Sequence, residues 1–422
     1  MGMRPGYKQT EIGMIPADWG VRSIGQMFRL VNGCPFKPTD WKQSGTPIIR
    51  IQNLNDPYAP FNFSQAPVPE KNRVEPGDLL FAWSGTLGSS FGARVWAGPS
   101  GVLNQHIFRV HMDEGQITLP FSLLVFARVE EDIAKQAHGF KASFVHVKKS
   151  DLVKVDMPVP PLSEQRAIAG ALSDVDALLG ALDRHIAKKR DLKQAAMQQL
   201  LTGQTRLPCF HGEWEVKPLG ELFKFSGGYS ASRDQLSTAG HCYLHYGDIH
   251  KSSKAFVDVN AEHQDIPKLD IALKRVSAGS LLDDGDVVFP FVDASEDDAS
   301  TSKHLVVVNK DKKPFISGLH TIVAKSTTNE LAHAYRRYCF QTPAMRQQFL
   351  FYAVGTKVSG ISKSNIPKLT IPVPSVPEQT AIGAVLADMD AELSALDQRR
   401  TKTRALKQAM MQELLTGKTR LV

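Results

Sequence analysis

The sequence predicts a mixed α/β protein made of two similar halves, each an α/β globule followed by one long α-helix. Residues 157–207 return at 371–421 with a constant offset of 214 and no gap, and 30 of the 51 positions are identical. The segments before these copies contain short β-type runs separated by Gly, Pro, Asn and Asp. A repeat this long indicates large duplicated units rather than a solenoid of short ones.

The composition is typical of a soluble globular protein, with 42% apolar and 22% charged residues in a chain of 422. This length predicts two to four domains, each able to bury a core. No apolar run reaches the roughly 18 residues that a membrane-spanning helix needs, and the first residues lack an apolar signal core. The four cysteines are scattered, as expected of reduced thiols. We therefore expect a cytoplasmic protein without a membrane partner.

Each copy of the repeat predicts one helix of about 38 residues, roughly 57 Å long. Glu164 and Glu378 lie where a first turn favours acidic residues, and Gly203 and Gly417 follow the last leucines as C-terminal caps do. Apolar residues recur in steps of three and four, which is typical of a helix-packing seam. The predicted seam consists of Ile168, Leu172, Val175, Leu179 and Leu182 in the first copy and of Ile382, Leu386, Met389, Leu393 and Leu396 in the second.

A single apolar stripe on so long a helix needs a partner, and the other copy is the nearest one. A coiled coil between two chains is the alternative. Lys189 and Arg400 fall where the seam would continue, so we expect the seam to drift there. It is expected to resume at Leu192 or Leu406, Met197 or Met411, and Leu200 or Leu414.

The two globules are related more distantly than the helices. Trp19 and Trp214 lie in similar short segments, and His106-Ile107-Phe108 parallels His320-Thr321-Ile322. The loops differ, because residues 84–90 are rich in Ser and Gly whereas residues 293–298 are acidic. A common frame with unlike loops is typical of two readers of two different targets. The predicted division is a first globule at 1–156, a first helical segment at 157–207, a second globule at 208–370 and a second helical segment at 371–422.

The net charge of +7 is unevenly distributed. Residues 133–150 and 331–377 contain several Lys and Arg residues and no carboxylate. Two basic, acid-free segments at equivalent places indicate two phosphate-facing surfaces. The alternative is a solvated face whose acidic partners come from elsewhere in the fold.

Three motifs resemble a known family. They are Gly13-x-x-Pro16-x-x-Trp19, the repeated Pro-Val-Pro-x-x-x-Glu-Gln at 158–165 and 372–379, and the repeated Leu-Leu-Thr-Gly-x-Thr-Arg-Leu at 200–207 and 414–421. In their duplicated order, over essentially the whole chain, they resemble the specificity (S) subunits of type I restriction–modification systems. The resemblance implies that each globule is a target recognition domain for one half of an interrupted DNA sequence. It also implies that the helices pack as an antiparallel coiled coil with pseudo-twofold internal symmetry.

The resemblance further implies a subunit without activity of its own. Such a subunit directs two methyltransferase subunits, and restriction subunits with motor and nuclease activity, to double-stranded DNA. S-adenosylmethionine, ATP and Mg are expected on those partners and no cofactor on this chain. The outer helix faces, with Arg184, Lys188, Lys189, Arg190 and Lys193 in the first copy, are expected to serve the methyltransferases as well as solvent. The alternative is a merely solvated face. Open alternatives are the specificity chain of a type II system with a fused nuclease–methylase partner, and a coiled-coil scaffold that binds no DNA.

The sequence also lacks the motifs expected of a catalytic subunit. The segment 355–360 lacks the lysine of a phosphate-binding P-loop, and residues 55–58 contain one proline where an adenine methyltransferase loop has two. His241, Cys242, His245 and His250 lie close in sequence but fit no standard zinc spacing, so no metal is expected.

Candidate DNA contacts follow from residue chemistry. Phosphate contacts position a protein, while base-edge contacts specify the sequence. Arg suits guanine, and Asn or Gln suits adenine. The candidates for base contacts are Arg50, Asn53 and Gln105, and those for phosphate contacts are Lys141, Lys148, Lys149, Lys303, Lys357 and Lys363.

Overall fold

The computed structural model describes residues 5–56, 59–137, 144–252, 254–290, 303–354 and 360–421. Contacts group the chain into two compact units. Unit 1 contains residues 1–182 and 399–422, and unit 2 contains residues 183–398. Each long helix contributes to both units, whereas the sequence-based division treats the helices as segments of their own. No helix in the described ranges is long and apolar enough to cross a membrane.

The first half of the chain alternates short strands with short helices before one long helix. Its strands are β1 (Tyr7–Thr10), β2 (Gly13–Pro16), β3 (Gly20–Ser23), β4 (Phe28–Asn32), β5 (Thr46–Ile49), β6 (Asn62–Ser64), β7 (Arg73–Val74), β8 (Leu79–Ala82), β9 (Ser84–Thr86), β10 (Gly92–Val95), β11 (Gly101–Leu103), β12 (Ile107–Met112), β13 (Phe144–His146) and β14 (Asp156–Val159). Its helices are α1 (Ile24–Met27), α2 (Ile51–Asn55), α3 (Leu119–Ala137), α4 (Lys149–Leu152) and α5 (Leu162–Leu200).

The second half repeats this order with local differences. Its strands are β15 (Glu215–Pro218), β16 (Phe223–Gly227), β17 (Leu236–Ser237), β18 (His241–Leu244), β19 (Phe256–Asp258), β20 (Lys268–Leu269), β21 (Val287–Pro290), β22 (Leu305–Val308), β23 (Phe315–Ser317), β24 (Thr321–Ser326), β25 (Ala353–Val354), β26 (Gly360–Ile361) and β27 (Thr370–Val373). Its helices are α6 (Leu219–Leu222), α7 (Tyr246–Lys251), α8 (His333–Cys339), α9 (Pro343–Tyr352) and α10 (Val376–Leu414).

Each unit contains two sheets of related design. The first sheet is antiparallel except for the parallel pair of β22 with β19 in unit 2, and the second, the mixed sheet, contains parallel and antiparallel pairs. In unit 1 the strand orders are β10-β8-β12-β4 and β6-β5-β11-β7, and in unit 2 they are β16-β24-β21-β22-β19 and β17-β20-β18-β23. The mixed sheets share one parallel pair, which is β5 with β11 in unit 1 and β18 with β23 in unit 2. The mixed α/β content predicted from the sequence is therefore present in both halves.

The two long helices have the length and the ends that the sequence predicts. Each spans 39 residues. Gly203 and Gly417 have positive φ values of 73° and 70°, a conformation that Gly adopts at little cost. Their apolar faces complete the cores, because Ile168 and Leu172 pack with Leu414 in the core of unit 1.

The predicted drift of the seam is wrong at Leu192 and Leu406, whereas Met197, Leu200 and Leu414 are buried as expected. Leu192 and Leu406 are 47% and 56% exposed. The steps of three and four instead continue through Lys189 and Lys193, whose side chains are half-buried and form ion pairs. A lysine at a seam position packs its methylene chain between the two helices, and its ammonium group reaches a carboxylate beside the seam.

Ion pairs join the two long helices within each unit. In unit 2, Lys189 Nζ lies 2.7 Å from Glu392 and Lys193 Nζ lies 2.5 Å from Asp390. In unit 1, Lys407 Nζ lies 2.7 Å from Asp176. With the offset of 214, Asp176 corresponds to Asp390 and Lys193 to Lys407. The same ion pair is therefore formed once in each unit, with the two copies exchanging roles.

The repeated Glu-Gln pair joins each globule to its helix. Gln165 is fully buried; its amide oxygen accepts from Thr118 N at 2.9 Å and its amide nitrogen donates to Gln116 O and Pro160 O. Gln379 makes the corresponding bonds in unit 2, to Ala332 N, Glu330 O and Pro374 O. A buried amide with every polar atom paired fixes orientation, because losing one bond leaves a desolvated group.

The preceding glutamate binds a tryptophan and an arginine. In unit 1, Trp19 Nε1 donates to the buried carboxylate of Glu164 at 2.8 Å, and Arg420 Nε donates to it at 2.6 Å. In unit 2, Glu378 receives the same two groups from Trp214 and Arg206. The arginine comes from the tail that follows the other long helix. We call each set of three residues a clasp.

Candidate nucleic-acid interface

The parallel strand pairs bring two loops together at one edge of each mixed sheet. In unit 1, Ile49 pairs with Leu103, and Asn104 N donates to Ile49 O at 3.0 Å. Because parallel strands end at the same edge, the start of α2 and the turn between β11 and β12 are neighbours. Arg50 and Gln105 project from these two segments, so the structure brings together two of the three predicted base-contacting residues.

The unit 1 edge carries aromatic rings around these polar groups. The Arg50 guanidinium lies 4.7 Å from the centre of the Trp41 ring, and its Nη1 donates to Asn62 Oδ1 at 2.9 Å. A guanidinium held by an aromatic ring and an amide oxygen has little freedom left and is therefore pre-organised for recognition. Gln105 is exposed and lies 3.2 Å from His106 Nε2.

Trp83 and its neighbours extend the unit 1 edge. The centre of the Trp83 ring lies 5.3 Å from the centre of the His106 ring and 4.7 Å from that of the His146 ring, and His146 is exposed. Trp41 Nε1, Trp83 Nε1 and His106 Nδ1 are buried and have no hydrogen-bond partner within the described part of the chain. Buried polar atoms are normally paired, so this edge holds unused hydrogen-bonding capacity.

Unit 2 has an edge of the same construction with different side chains. Gly318 N donates to Leu244 O at 2.9 Å, which places the start of α7 beside the turn before β24. Tyr246 packs edge-on against the exposed ring of His320 at 5.6 Å, and against His250 at 6.1 Å. His320 has a φ of 62°, an uncommon conformation outside Gly that sites of function often contain.

The N-cap residue of the helix at the edge, which is α2 in unit 1 and α7 in unit 2, differs between the units. Arg50 precedes α2 and forms no capping hydrogen bond with its side chain, whereas His245 caps α7 with its side chain. His245 Nδ1 accepts from Gly247 N at 3.0 Å. Burial lowers the pKa of His245, and nearby Arg233 lowers it further, so the imidazole is held in the neutral form that can accept this bond.

Two of the predicted contacts are used inside the protein. Asn53 is fully buried, accepts from Arg50 N at 3.0 Å and donates to Ala59 O at 3.0 Å; it therefore does not belong among the base-reading candidates. Lys303 Nζ donates to the carbonyls of His250 and Ser252. Lys303 therefore caps the C-terminal end of α7, where a cation is stabilised by the negative end of the helix dipole.

The remaining predicted lysines differ in their surroundings. Lys148 and Lys363 are exposed. Lys149 is exposed as well, but its ammonium group donates to Leu30 O at 2.7 Å. Lys141 and Lys357 lie outside the described residues.

The predicted acid-free basic segments are not continuous surfaces. Arg336 is buried, donates to Gly285 O at 2.8 Å and lies over the Phe223 ring at 5.6 Å. Arg337 lies over the Phe256 ring at 4.3 Å. Guanidinium groups are planar and weakly hydrated, so they also pack well inside a protein. The number of cations in a segment therefore does not show which of them face the protein surface.

Sequence reasoning missed Trp41, Trp83, His146 and Tyr246. Part of the edge could have been predicted from the sequence, because His106 and His320 precede equivalent strands in the two halves. Two related sheet edges that display guanidinium, imidazole, amide and aromatic groups are typical of a protein with two nucleic-acid-reading surfaces.

Comparisons with known proteins identify the family. The model described as the type I restriction modification DNA specificity domain matches twice, at residues 16–189 and 211–404. The chain therefore belongs to the family of type I restriction–modification specificity subunits, which recognise DNA targets.

Individual relatives agree over nearly the whole length. The chain is 24% identical to a putative type I restriction enzyme MjaX specificity subunit from Methanocaldococcus jannaschii, over 98% of this chain and 97% of that protein. The S subunit of a type I system from M. genitalium has a similar fold, with a TM-score of 0.51 and 16% identity over 98% of this chain and 99% of the other. A chain from a study of complex assembly in the type I R-M system gives a TM-score of 0.60 and 17% identity over 96% of this chain and 99% of the other.

Proposed function

We propose that this chain reads a DNA target in two blocks, one with the edge of each unit, and directs partner subunits to it. The observation that supports this most strongly is the double match to the DNA specificity domain, once per repeat. The two edges share a backbone frame but carry Arg50, Gln105 and Trp83 in one unit and Tyr246 and His320 in the other. Two different sets of reading groups suit two different half-sites.

The antiparallel helices serve, in this proposal, as the spacer between the two readers. The ion pairs formed once in each unit support a pseudo-twofold arrangement of the two copies. The chain would have no catalytic activity itself. Two methyltransferase subunits that use S-adenosylmethionine would modify adenines, and restriction subunits would use ATP and Mg for translocation and cleavage. The family match does not favour the scaffold or the type II alternative.

A methylome tests this function. The chain is expressed with its methyltransferase subunit in a methylation-free bacterial host, and modified adenines are read by single-molecule sequencing. We expect one motif with two short defined blocks and a constant run of unspecified bases between them. A soluble complex that neither methylates DNA nor binds any duplex at low salt would contradict the proposal and revive the scaffold.

A further inference from the structure

A two-stranded ribbon extends the unit 1 edge. Strand β9 pairs antiparallel with β13, and Thr86 lies opposite Phe144. Backbone hydrogen bonds join this pair of strands to the edge, because Val147 N donates to Trp83 O at 2.9 Å and Trp83 N donates to His106 O at 3.3 Å. We call β9 and β13, together with residues 147–148, the ribbon. It is continuous with the candidate interface but distinct from the segments that carry Arg50 and Gln105.

The two faces of the ribbon differ in what they contact. Val145 and Val147 are half-buried and pack against the core of unit 1. Side chains alternate between the faces of a strand, so Phe144, His146 and Lys148 lie on the other face, where all three are exposed. The phenyl group of Phe144 is 61% exposed, although Phe is among the residues most often buried. Packing within the fold therefore gives no reason for an aromatic residue at this position.

The ribbon has the charge and the width of an element that enters a DNA groove. Strand β13 lies in the acid-free segment 133–150, and β9 contains only the small residues Ser84, Gly85 and Thr86. The positive charge of Lys148 attracts phosphates, and no carboxylate of the ribbon repels them. Paired strands lie about 4.8 Å apart, and the major groove, about 12 Å wide, admits a two-stranded ribbon. A DNA duplex therefore suits this face in both charge and shape.

The spacing along β13 matches the spacing of bases. Alternate residues of a strand lie about 6.8 Å apart, which equals two base-pair steps of about 3.4 Å. Phe144 and His146 can therefore face bases two steps apart, while Lys148 reaches a phosphate further along. The apolar group that a base pair displays in the major groove is the C5 methyl of thymine, and Phe is one of the side chains that contact it. The chemistry of Phe144 thus selects thymine.

We propose that the ribbon lies in the major groove of the half-site that unit 1 reads, and that Phe144 there contacts the methyl group of one thymine. This rests on the function proposed above and adds a second reading element to unit 1. Unit 2 does not repeat it, because the offset of 214 places Gly360 and Ser362 at the positions of His146 and Lys148. The contact therefore belongs to one half-site only.

Exchange of thymine for uracil tests the proposal, because it removes a methyl group from the major groove and leaves base pairing intact. The full chain, in complex with its methyltransferase subunits, is titrated with duplexes that carry the motif found in the methylome. Each thymine of both half-sites is replaced by uracil, one at a time. The titrations are repeated with Phe144→Ala. The matched control is Phe351→Ala, which removes an 80% exposed phenyl group from unit 2.

We expect one thymine at which uracil lowers the affinity of the unaltered complex roughly four-fold, the effect of one buried methyl group. The same exchange should leave the affinity of Phe144→Ala unchanged and should retain its full effect in Phe351→Ala. If no thymine shows an effect that disappears in Phe144→Ala, the proposal is wrong. Disappearance of the effect in Phe351→Ala as well would also overturn it, because the loss would then not be specific to the ribbon.

Other occupants of the ribbon give different results. Unchanged duplex affinity together with weaker methyltransferase binding by Phe144→Ala would assign the ribbon to a protein partner and overturn the proposal. An unaltered chain that sediments as a dimer, and a Phe144→Ala variant that sediments as a monomer, would assign it to a second copy of this chain, with the same consequence. An unaltered complex that binds no duplex would refute the function itself, whereas duplex binding without the uracil effect would refute only the role of Phe144.

Discussion

Polar residues at the two edges divide into those that hold the backbone and those that face outward. Asn53 accepts from Arg50 N, and Asp248 accepts from His245 N at 3.2 Å, so both edge helices begin in the same way. Because one residue holds the backbone, the side chain at the N-cap position is free to differ. Arg50 and His245 therefore provide different chemistry on the same frame, as binding loops on a rigid scaffold do.

His245 makes unit 2 sensitive to acid. Its Nδ1 accepts a hydrogen bond only while the imidazole is neutral, and burial lowers its pKa. A histidine with a lowered pKa stabilises the fold above its ordinary pKa of about 6.5, and this contribution is lost as the pH falls through the lower folded value. His333 has a pKa lowered in the same direction by burial, so it contributes a similar dependence.

His245→Asn should reduce this sensitivity. Asn is a good helix cap and does not titrate, so the variant should match the original protein at pH 7.5 within about 0.5 kcal/mol. At pH 5 it should be more stable by about 1 kcal/mol, the usual worth of a cap. Urea unfolding at the two pH values measures both numbers. An identical pH dependence of the unfolding free energy in the two proteins would show that His245 does not cause it. Some pH dependence should remain in the variant because of His333.

At the scale of elements, the clasps explain why the repeated motifs occur where they do. The motif that contains Glu164 begins one long helix, and the motif that contains Arg420 follows the end of the other. The two meet at Trp19 in unit 1, where Arg420 also contacts both carboxylate oxygens of Asp18 at 2.9 Å. Both motifs are therefore structural joints, which is consistent with their near identity in the two copies.

The clasps predict crossed effects of mutation. Arg420→Ala should loosen unit 1, although Arg420 lies near the end of the sequence, because the buried Glu164 carboxylate loses its cation. Arg206→Ala, the matched variant, should loosen unit 2 in the same way. Hydrogen exchange should show the protection of β3 and β14 falling in the first variant, and that of β15 and β27 falling in the second. Loss of protection confined to the mutated tail would contradict this role.

At the scale of the whole molecule, the proposed function predicts two readers that act independently. Arg50→Ala should relax one block of the methylated motif, and His320→Ala should relax the other. Each loss of a good base contact is worth about 1–3 kcal/mol of discrimination. For independent sites the two effects on duplex affinity should add within about 0.5 kcal/mol in the double variant.

The pattern of relaxed positions is the critical result. Methylome sequencing of the two single variants reads both blocks in each experiment, so the unaffected block serves as an internal control. Relaxation of both blocks by either variant would show that the two edges do not read separate half-sites. Uniformly weaker binding without any change in the motif would assign Arg50 to phosphate contact.

The sequence by itself determined the duplicated architecture, the mixed α/β content, the two long helices with their glycine caps, and the family. These features are periodic or local, so they can be read along the chain. Only the tertiary structure decided that Leu192 is exposed, that Asn53 is buried, and that the segments carrying Arg50 and Gln105 are neighbours. The physical reason is that burial and contact between distant residues depend on how strands and helices pack, and the same side chain can pack or face solvent according to that arrangement.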